Sequence, residues 1–432
     1  MVSRHPGSDR SNARAAVAGL LVVALELALL AIWQRNGYWD FSDGVYADTA
    51  REVLRGVSLY SGVAGAQPPP IYLVGAGLLA LHDGLASLRA GMAVAELASA
   101  ALVATAVWRL CGRAWLALVA ALATPLLPIA LHEHAQLIPE TVAAPLVIGG
   151  ALCVARPRWA LAGGALLALA AAFKLAFVLP ALALVLVAAD RPRAAIGLVT
   201  AGAVLGVVAL LAYGTPLWTE TVRAQFEVGQ APLHYVGGLI AQAAWNELPL
   251  LFIAAPVAWA ALQRRSYSRD PALERALLAA AAAGLLLGLS LFKRGSYISV
   301  FIVAEPPLLA LAVLGASGLW QTGWRARLAV AALLALLAAQ SASLLIDPAD
   351  PVVARRPGAQ SGLAIGASPS LVNRAVALAR RCPPQRAYPG APYIAFLADR
   401  RMPGEQPDTF MLSFASADAA FARRAAADQP RC

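Results

Sequence analysis

Of the 34 basic residues in this 432-residue chain, only Lys174 and Lys293 are lysines. Charged residues of both signs make up only 13% of the sequence. A soluble chain of this length needs far more polar surface to cover its core. The net charge of +10 does not describe a nucleic-acid surface either, because the arginines stand in short clusters between apolar runs. In that setting they set membrane orientation.

What is abundant is apolar: 60% of residues are hydrophobic and the mean hydropathy is +0.66. Runs of roughly 20 apolar residues, enough to cross a bilayer, recur from Ala15 to Leu345. They lack the polar face of a soluble surface helix. The fold class expected is an all-α polytopic membrane protein. The first run is long for a signal sequence and ends in AIWQRNGYWD, without a convincing cleavage site, so it reads as a retained span.

The arginine clusters supply a topology. Arg4, Arg10 and Arg14, then Arg109 and Arg113, Arg156 and Arg158, Arg191 and Arg193, Arg264, Arg265 and Arg269, and Arg325 and Arg327 are all expected on the cytoplasmic side. Placing them there predicts about eleven transmembrane helices, near 15–33, 86–108, 115–131, 141–155, 159–173, 175–189, 194–213, 246–262, 274–292, 299–318 and 327–345. The run PPPIYLVGAGLLALHDG is too short to span and is expected to lie flat on the outer surface. Three parts follow: a cytoplasmic N-terminus at 1–14, a transmembrane module at 15–345 with an external loop at 34–85, and a small extracytoplasmic C-terminal domain at 346–432. The loop is expected to hold juxtamembrane helices at 44–55 and 69–81. The tail is expected to mix helix and strand, with SPSLVNRAVALARR as an amphipathic helix capped by Ser368 or Ser370. Cys382 and Cys432 share that tail, where a bridge is permitted, and two free thiols fit equally.

Polar groups collect on the outer side. They are Asp40 and Asp43 in the first loop, Arg89 at the start of the second span, His132, Glu133, His134, Gln136 and Glu140 after the third, Lys174 between two apolar runs, and Lys293, Arg294, Ser296 and Tyr297 before the tenth span. The long loop YGTPLWTETVRAQFEVGQAPLHYVGG adds Trp218, Glu220, Arg223, Glu227 and His234. A carboxylate there suits a general base toward a hydroxyl, and Lys and Arg suit a phosphate. Together they point to chemistry on a phosphorylated, membrane-embedded molecule.

The first loop, SDGVYADTAREVLRGVSLYSGVAGAQPPPIYLVGAGLLALHDGLASLRA, resembles that of the GT-C glycosyltransferases, in the bacterial branch related to protein mannosyltransferases and aminoarabinose transferases. The residues carrying the resemblance are Asp43, Tyr46, Ala50, Leu54, Gly56, Leu59, Tyr60, Pro69, Pro70, Tyr72 and Arg89, followed in order by Glu140, Lys174, Lys293 and Arg294. The resemblance implies an inverting enzyme of the cell envelope that uses a polyprenyl-phosphate sugar donor and a lipid or glycan acceptor. Asp43 would be the catalytic base, and Lys293, Arg294, Lys174 and Arg89 would hold the donor phosphate. His132, His134, Glu140, Tyr46 and Tyr297 would line the cavity or touch the acceptor. The active site would face outward from the cytoplasmic membrane. Many relatives carry a second acid directly after the first, whereas Gly44 follows Asp43 here. No cofactor is therefore implied with certainty, and a divalent metal stays open.

Other readings attach to the same residues. Asp43 fits a helix N-cap. His132 and His134 would form a metal pair on an extended segment, whereas on a helix His132, Gln136 and Glu140 share a face instead. Lys174, Lys293 and Arg294 fit snorkelling anchors. Glu26 and Glu96 lie deep in the first two spans and suit helix-to-helix hydrogen bonds or an ion pathway. That last feature supports the alternative of a transporter or flippase for a lipid-linked or anionic solute. A catalytically silent assembly protein is a third reading.

Overall fold

A computed structural model describes residues 7–36, 41–227, 229–346, 369–383, 386–388, 390–407, 423–424 and 427. The chain is a multi-pass membrane protein, all helical among these residues. Its helices, in chain order, are α1 (Gly7–Asn36), α2 (Phe41–Leu54), α3 (Pro70–Leu81), α4 (Leu85–Cys111), α5 (Ala114–Ala123), α6 (Pro128–His132), α7 (Pro139–Val154), α8 (Ala160–Phe173), α9 (Val178–Val187), α10 (Arg191–Trp218), α11 (Ala224–Glu227), α12 (Leu233–Leu262), α13 (Pro271–Leu286), α14 (Glu305–Leu319), α15 (Trp324–Ile346), α16 (Pro369–Arg380) and α17 (Pro392–Ala398).

Local chemistry sets many of the ends. Proline occupies the first turn of α3, α6, α7, α13, α14 and α17, where its missing N–H costs nothing. Asp190 caps α10 through the Arg193 N–H at 3.1 Å, and Asp270 caps α13 through the Leu273 N–H at 3.2 Å. Gly112 ends α4 in the left-handed region at φ 67°.

Six described helical segments are long and apolar enough to cross a membrane, and the remaining five expected spans fall on shorter apolar helices. The sixth short apolar helix is α3, the segment expected to lie flat. Helix α10 turns Val199, Val204, Val207, Val208 and Leu211 outward, as a lipid-facing helix does. It crosses α8 at backbone distance. A Cβ on Gly164 would sit 2.0 Å from the Ala194 carbonyl oxygen, and one on Gly197 2.0 Å from that of Leu161. Small residues at a crossing maximise van der Waals contact where lipid offers no hydrophobic drive.

Three of the arginine clusters meet at one end of the bundle. Arg109 donates to Asp270 from Nε at 3.0 Å and Nη2 at 2.7 Å, and Arg156 reaches the same carboxylate at 3.2 Å. Arg89 lies 20 residues before Arg109 on α4, about 30 Å along the helix. The first-loop polar groups therefore sit a hydrocarbon thickness away from the arginine end.

Two expectations need correction. The stretch around 214–245 is not an open loop. Helix α10 runs on through a kink at Gly214 (φ 61°), a π turn follows at Thr219–Arg223, and α12 already begins at Leu233, which places His234 on a helix. The tail contains no strand among its described residues; α16 and α17 carry it. Ser370 lies inside α16 rather than capping it. Cys382 is disulfide-bonded. Ser368, Asp40 and Cys432 lie outside the described residues.

Candidate active site

Asp43 lies in the first turn of α2, and its burial comes from packing on three sides. Tyr46 meets Tyr72 of α3 at 5.8 Å between ring centroids, and Ala50 faces Gly75, where a Cβ would come within 2.7 Å. The small residues let α2 and α3 lie close. The third side is the turn between α6 and α7. Asp43 is 0% exposed. Its Oδ1 accepts the Leu137 N–H at 2.8 Å, and its Oδ2 accepts from Arg89 Nη2 at 2.6 Å. Arg89 Nη1 donates to the Ala135 carbonyl at 3.0 Å. The carboxylate is thus held from outside its own helix, which replaces the N-cap reading.

The turn that receives it is strained. Ala135 adopts φ 53°, uncommon for a residue with a Cβ. Its N–H donates to Glu96 Oε1 at 2.7 Å, so a residue deep in α4 helps fix the backbone that binds Asp43 and Arg89.

The tail supplies the cover. The Tyr393 hydroxyl hydrogen-bonds Arg89, and burial pushes its phenol up to about 12 despite the nearby cation, so it stays neutral at pH 7. A Cβ on Gly44 would lie 2.4 Å from the Tyr393 backbone nitrogen. Glycine at position 44 is therefore a requirement of the tail's approach, and a carboxylate there has no room. Arg51 of α2 stacks 3.8 Å over the Phe396 ring and donates to the Phe396 carbonyl, while Arg55 pairs with Asp399. These contacts dock α17 onto α2. Nothing in the tail's composition marked Tyr393 as part of this site; its role arises from docking alone.

The other candidate residues form separate groups around the His132–Glu140 segment. Lys174 pairs with Glu140 at 2.5 Å, at the start of α7. His132 Nδ1 lies 2.8 Å from Glu133 Oε1, and its ring is 6.1 Å from that of Tyr297. His134 faces elsewhere, with Nδ1 2.7 Å from Glu96 and Nε2 3.7 Å from Glu26. The two histidines do not form the metal pair that an extended reading allowed. Lys293 bonds Gln225, whose Nε2 donates to the Ala66 carbonyl of the first loop at 2.8 Å. Arg294 is exposed, with its N–H on the Gly229 carbonyl at 3.2 Å. Asp43 pairs with Arg89, not with Lys293 or Arg294.

The helical body as a whole has a fold that solved structures share. The solved structures with this fold include ArnT from Cupriavidus metallidurans. Its structure bound to undecaprenyl phosphate matches with a TM-score of 0.57 at 17% identity, covering 94% of this chain and 77% of that one. Its apo structure matches with a TM-score of 0.53 at 20% identity, covering 95% and 78%. No family model matches the chain, and no curated protein matches it in sequence.

Proposed function

We propose that the chain is an inverting glycosyltransferase that moves a sugar from a polyprenyl-phosphate donor to an acceptor hydroxyl on the extracytoplasmic face of a cytoplasmic membrane. The observation that carries this reading is the buried Asp43, fixed by Arg89 and the Leu137 N–H, on a fold shared with a protein crystallised with undecaprenyl phosphate.

In the reaction, Asp43 takes the proton from the acceptor hydroxyl as that oxygen attacks the anomeric carbon. The bond from that carbon to the phosphate oxygen breaks, and polyprenyl phosphate leaves with the electron pair. Negative charge grows on the leaving group, so cations lower the barrier. Lys174, Lys293 and Arg294 are the proposed donors to it. Arg89 is already committed to Asp43, Ala135 and Tyr393, so its part is to aim the base. Each Asp43 oxygen keeps a second lone pair for the acceptor. At 0% exposure Asp43 becomes accessible to the acceptor only when the elements enclosing it, α17 among them, rearrange.

The test is transfer from a synthetic polyprenyl-phosphate sugar in proteoliposomes, with lipids co-purified with the protein read by mass spectrometry. Sugar transfer by the wild type and none by Asp43→Asn supports the reading. Undiminished transfer by Asp43→Asn removes Asp43 from the mechanism. The buried acids Glu26, Glu247 and Glu305 and the partly buried Glu96 inside the bundle favour a second reading, lipid or solute transport. Flux across sealed vesicles without a glycosidic product would establish it instead.

A further inference from the structure

Three ionisable side chains meet inside the bundle beside the Asp43 pair. Glu26 comes from α1, Glu96 from α4 and His134 from the turn before α7. Glu26 is 1% exposed and His134 0%. One oxygen of each carboxylate and one ring nitrogen lie within 4.8 Å of one another. Among the described residues neither Glu26 oxygen makes a hydrogen bond within standard geometry, and His134 Nε2 lies 3.7 Å from its Oε1. Trp33 stands edge-on against the imidazole, with 6.1 Å between ring centroids.

The charge count is the problem this cluster poses. With both carboxylates ionised the cluster stays net negative even when the imidazole is protonated, so either one acid holds a proton or a cation is bound. Charges at that depth persist only when paired or metal-bound. A divalent cation with two carboxylates and a neutral imidazole sums to zero. The ligand types narrow the ion. Magnesium and calcium favour oxygen ligands throughout, whereas one imidazole with carboxylates suits zinc. Zinc commonly takes three protein ligands and a water, with bonds of about 2.0–2.2 Å. Such bonds place tetrahedral ligands about 3.4 Å apart, so the 2.7 Å contact between His134 Nδ1 and Glu96 opens while Glu26 closes on the imidazole. A cavity of about 30 Å³, lined in part by Glu96, Ser99, Thr141 and Glu305, adjoins the cluster at Glu96 and has room for water.

We propose that Glu26, Glu96 and His134 form a zinc-type divalent-cation site that ties α1 to α4 and to the turn holding Asp43. Its consequence lies in the backbone it fixes. Glu96 also accepts the Ala135 N–H, the Ala135 carbonyl holds Arg89, and the Leu137 N–H holds Asp43. The ion positions that turn and takes no part in bond making or breaking. The site stands on these contacts whether or not the chain transfers sugars.

The experiment uses the full-length protein purified in detergent without chelator, with metal content read by inductively coupled plasma mass spectrometry. About one zinc per chain is expected. Glu26→Gln and His134→Gln should lose it, while Glu133→Gln, a nearby buried acid outside the cluster, keeps it. The melting temperature should fall after chelation and return with zinc chloride but not with magnesium chloride. If the two variants do not fold, chelation and reloading of the wild type decide the matter alone. A wild type that holds no metal, and whose melting temperature ignores both chelator and zinc, overturns the site and leaves a shared proton as its occupant. Restoration by magnesium alone overturns the zinc assignment.

Discussion

Gly44 and Tyr393, 349 positions apart in the chain, touch so closely that a single Cβ on Gly44 would lie 2.4 Å from the Tyr393 nitrogen. The obstacle is backbone, which cannot swing aside as a side chain would. The approach brings the Tyr393 hydroxyl to Arg89 and closes Asp43 from water.

Gly44→Ala should therefore undock α17 while leaving the bundle intact. Overpacking of this kind costs about 1–3 kcal/mol. The expected result is faster proteolysis of the segment after Ile346 and exposure of Asp43. If the segment stays as protected as in the wild type, the contact is not what holds it.

Asp43 and Arg89 form a buried pair, so removing one partner strands the other. Asp43→Ala should lose transfer and destabilise the protein by about 3–5 kcal/mol. Adding Arg89→Leu should recover much of that stability and none of the activity. Chemical denaturation of the three variants gives the cycle. A double variant that falls by the sum of the two single losses would show that the pair carries no coupling.

Lys174 meets Glu140 at 2.5 Å, yet it keeps further N–H donors for a phosphate. Lys174→Met should raise the KM for the lipid-linked donor by roughly tenfold to a hundredfold, in keeping with the loss of a charged hydrogen bond. Glu140→Gln should leave the donor KM close to wild type. A Lys174→Met enzyme with wild-type donor kinetics would assign the residue to the ion pair alone.

Docking of α17 should depend on pH. Burial works to raise the Asp399 pKa, but the Arg55 hydrogen bond and the charges of Arg55 and Arg51 outweigh it and hold the carboxyl below its usual value. A depressed acid contributes its stabilisation above the unfolded pKa of about 3.9 and loses it as pH falls through the lower folded value. Hydrogen exchange over residues 392–398, corrected for intrinsic rate, should show protection at pH 6 and its loss near pH 3. Asp399→Asn should show part of that loss at pH 6. Protection that is the same at both pH values would rule out this ion pair as the tether.

Much of the outer loop was legible in sequence because its signals are local. Proline at the start of 70–81 and the short apolar run after it marked a short helix, and α2 extends the expected 44–55 helix by one turn at its start. The 214–245 stretch misled because its Gly, Pro and polar residues look like loop punctuation. In the structure they kink and distort a continuing helix. The expected strand in the tail had no local pattern behind it beyond a change of composition.

Composition and hydrophobic run length alone determined a polytopic helical membrane protein, with the arginine clusters set apart from the carboxylate-bearing loop. Those properties follow from the solvation of each segment by itself, which neighbours in the chain settle. Only the tertiary structure decided that Asp43 pairs with Arg89, that His132 and His134 belong to different clusters, and that the distant tail covers the acid. Partners of a buried charge are chosen by which backbones approach within a few ångströms, and that is a property of packing rather than of sequence spacing.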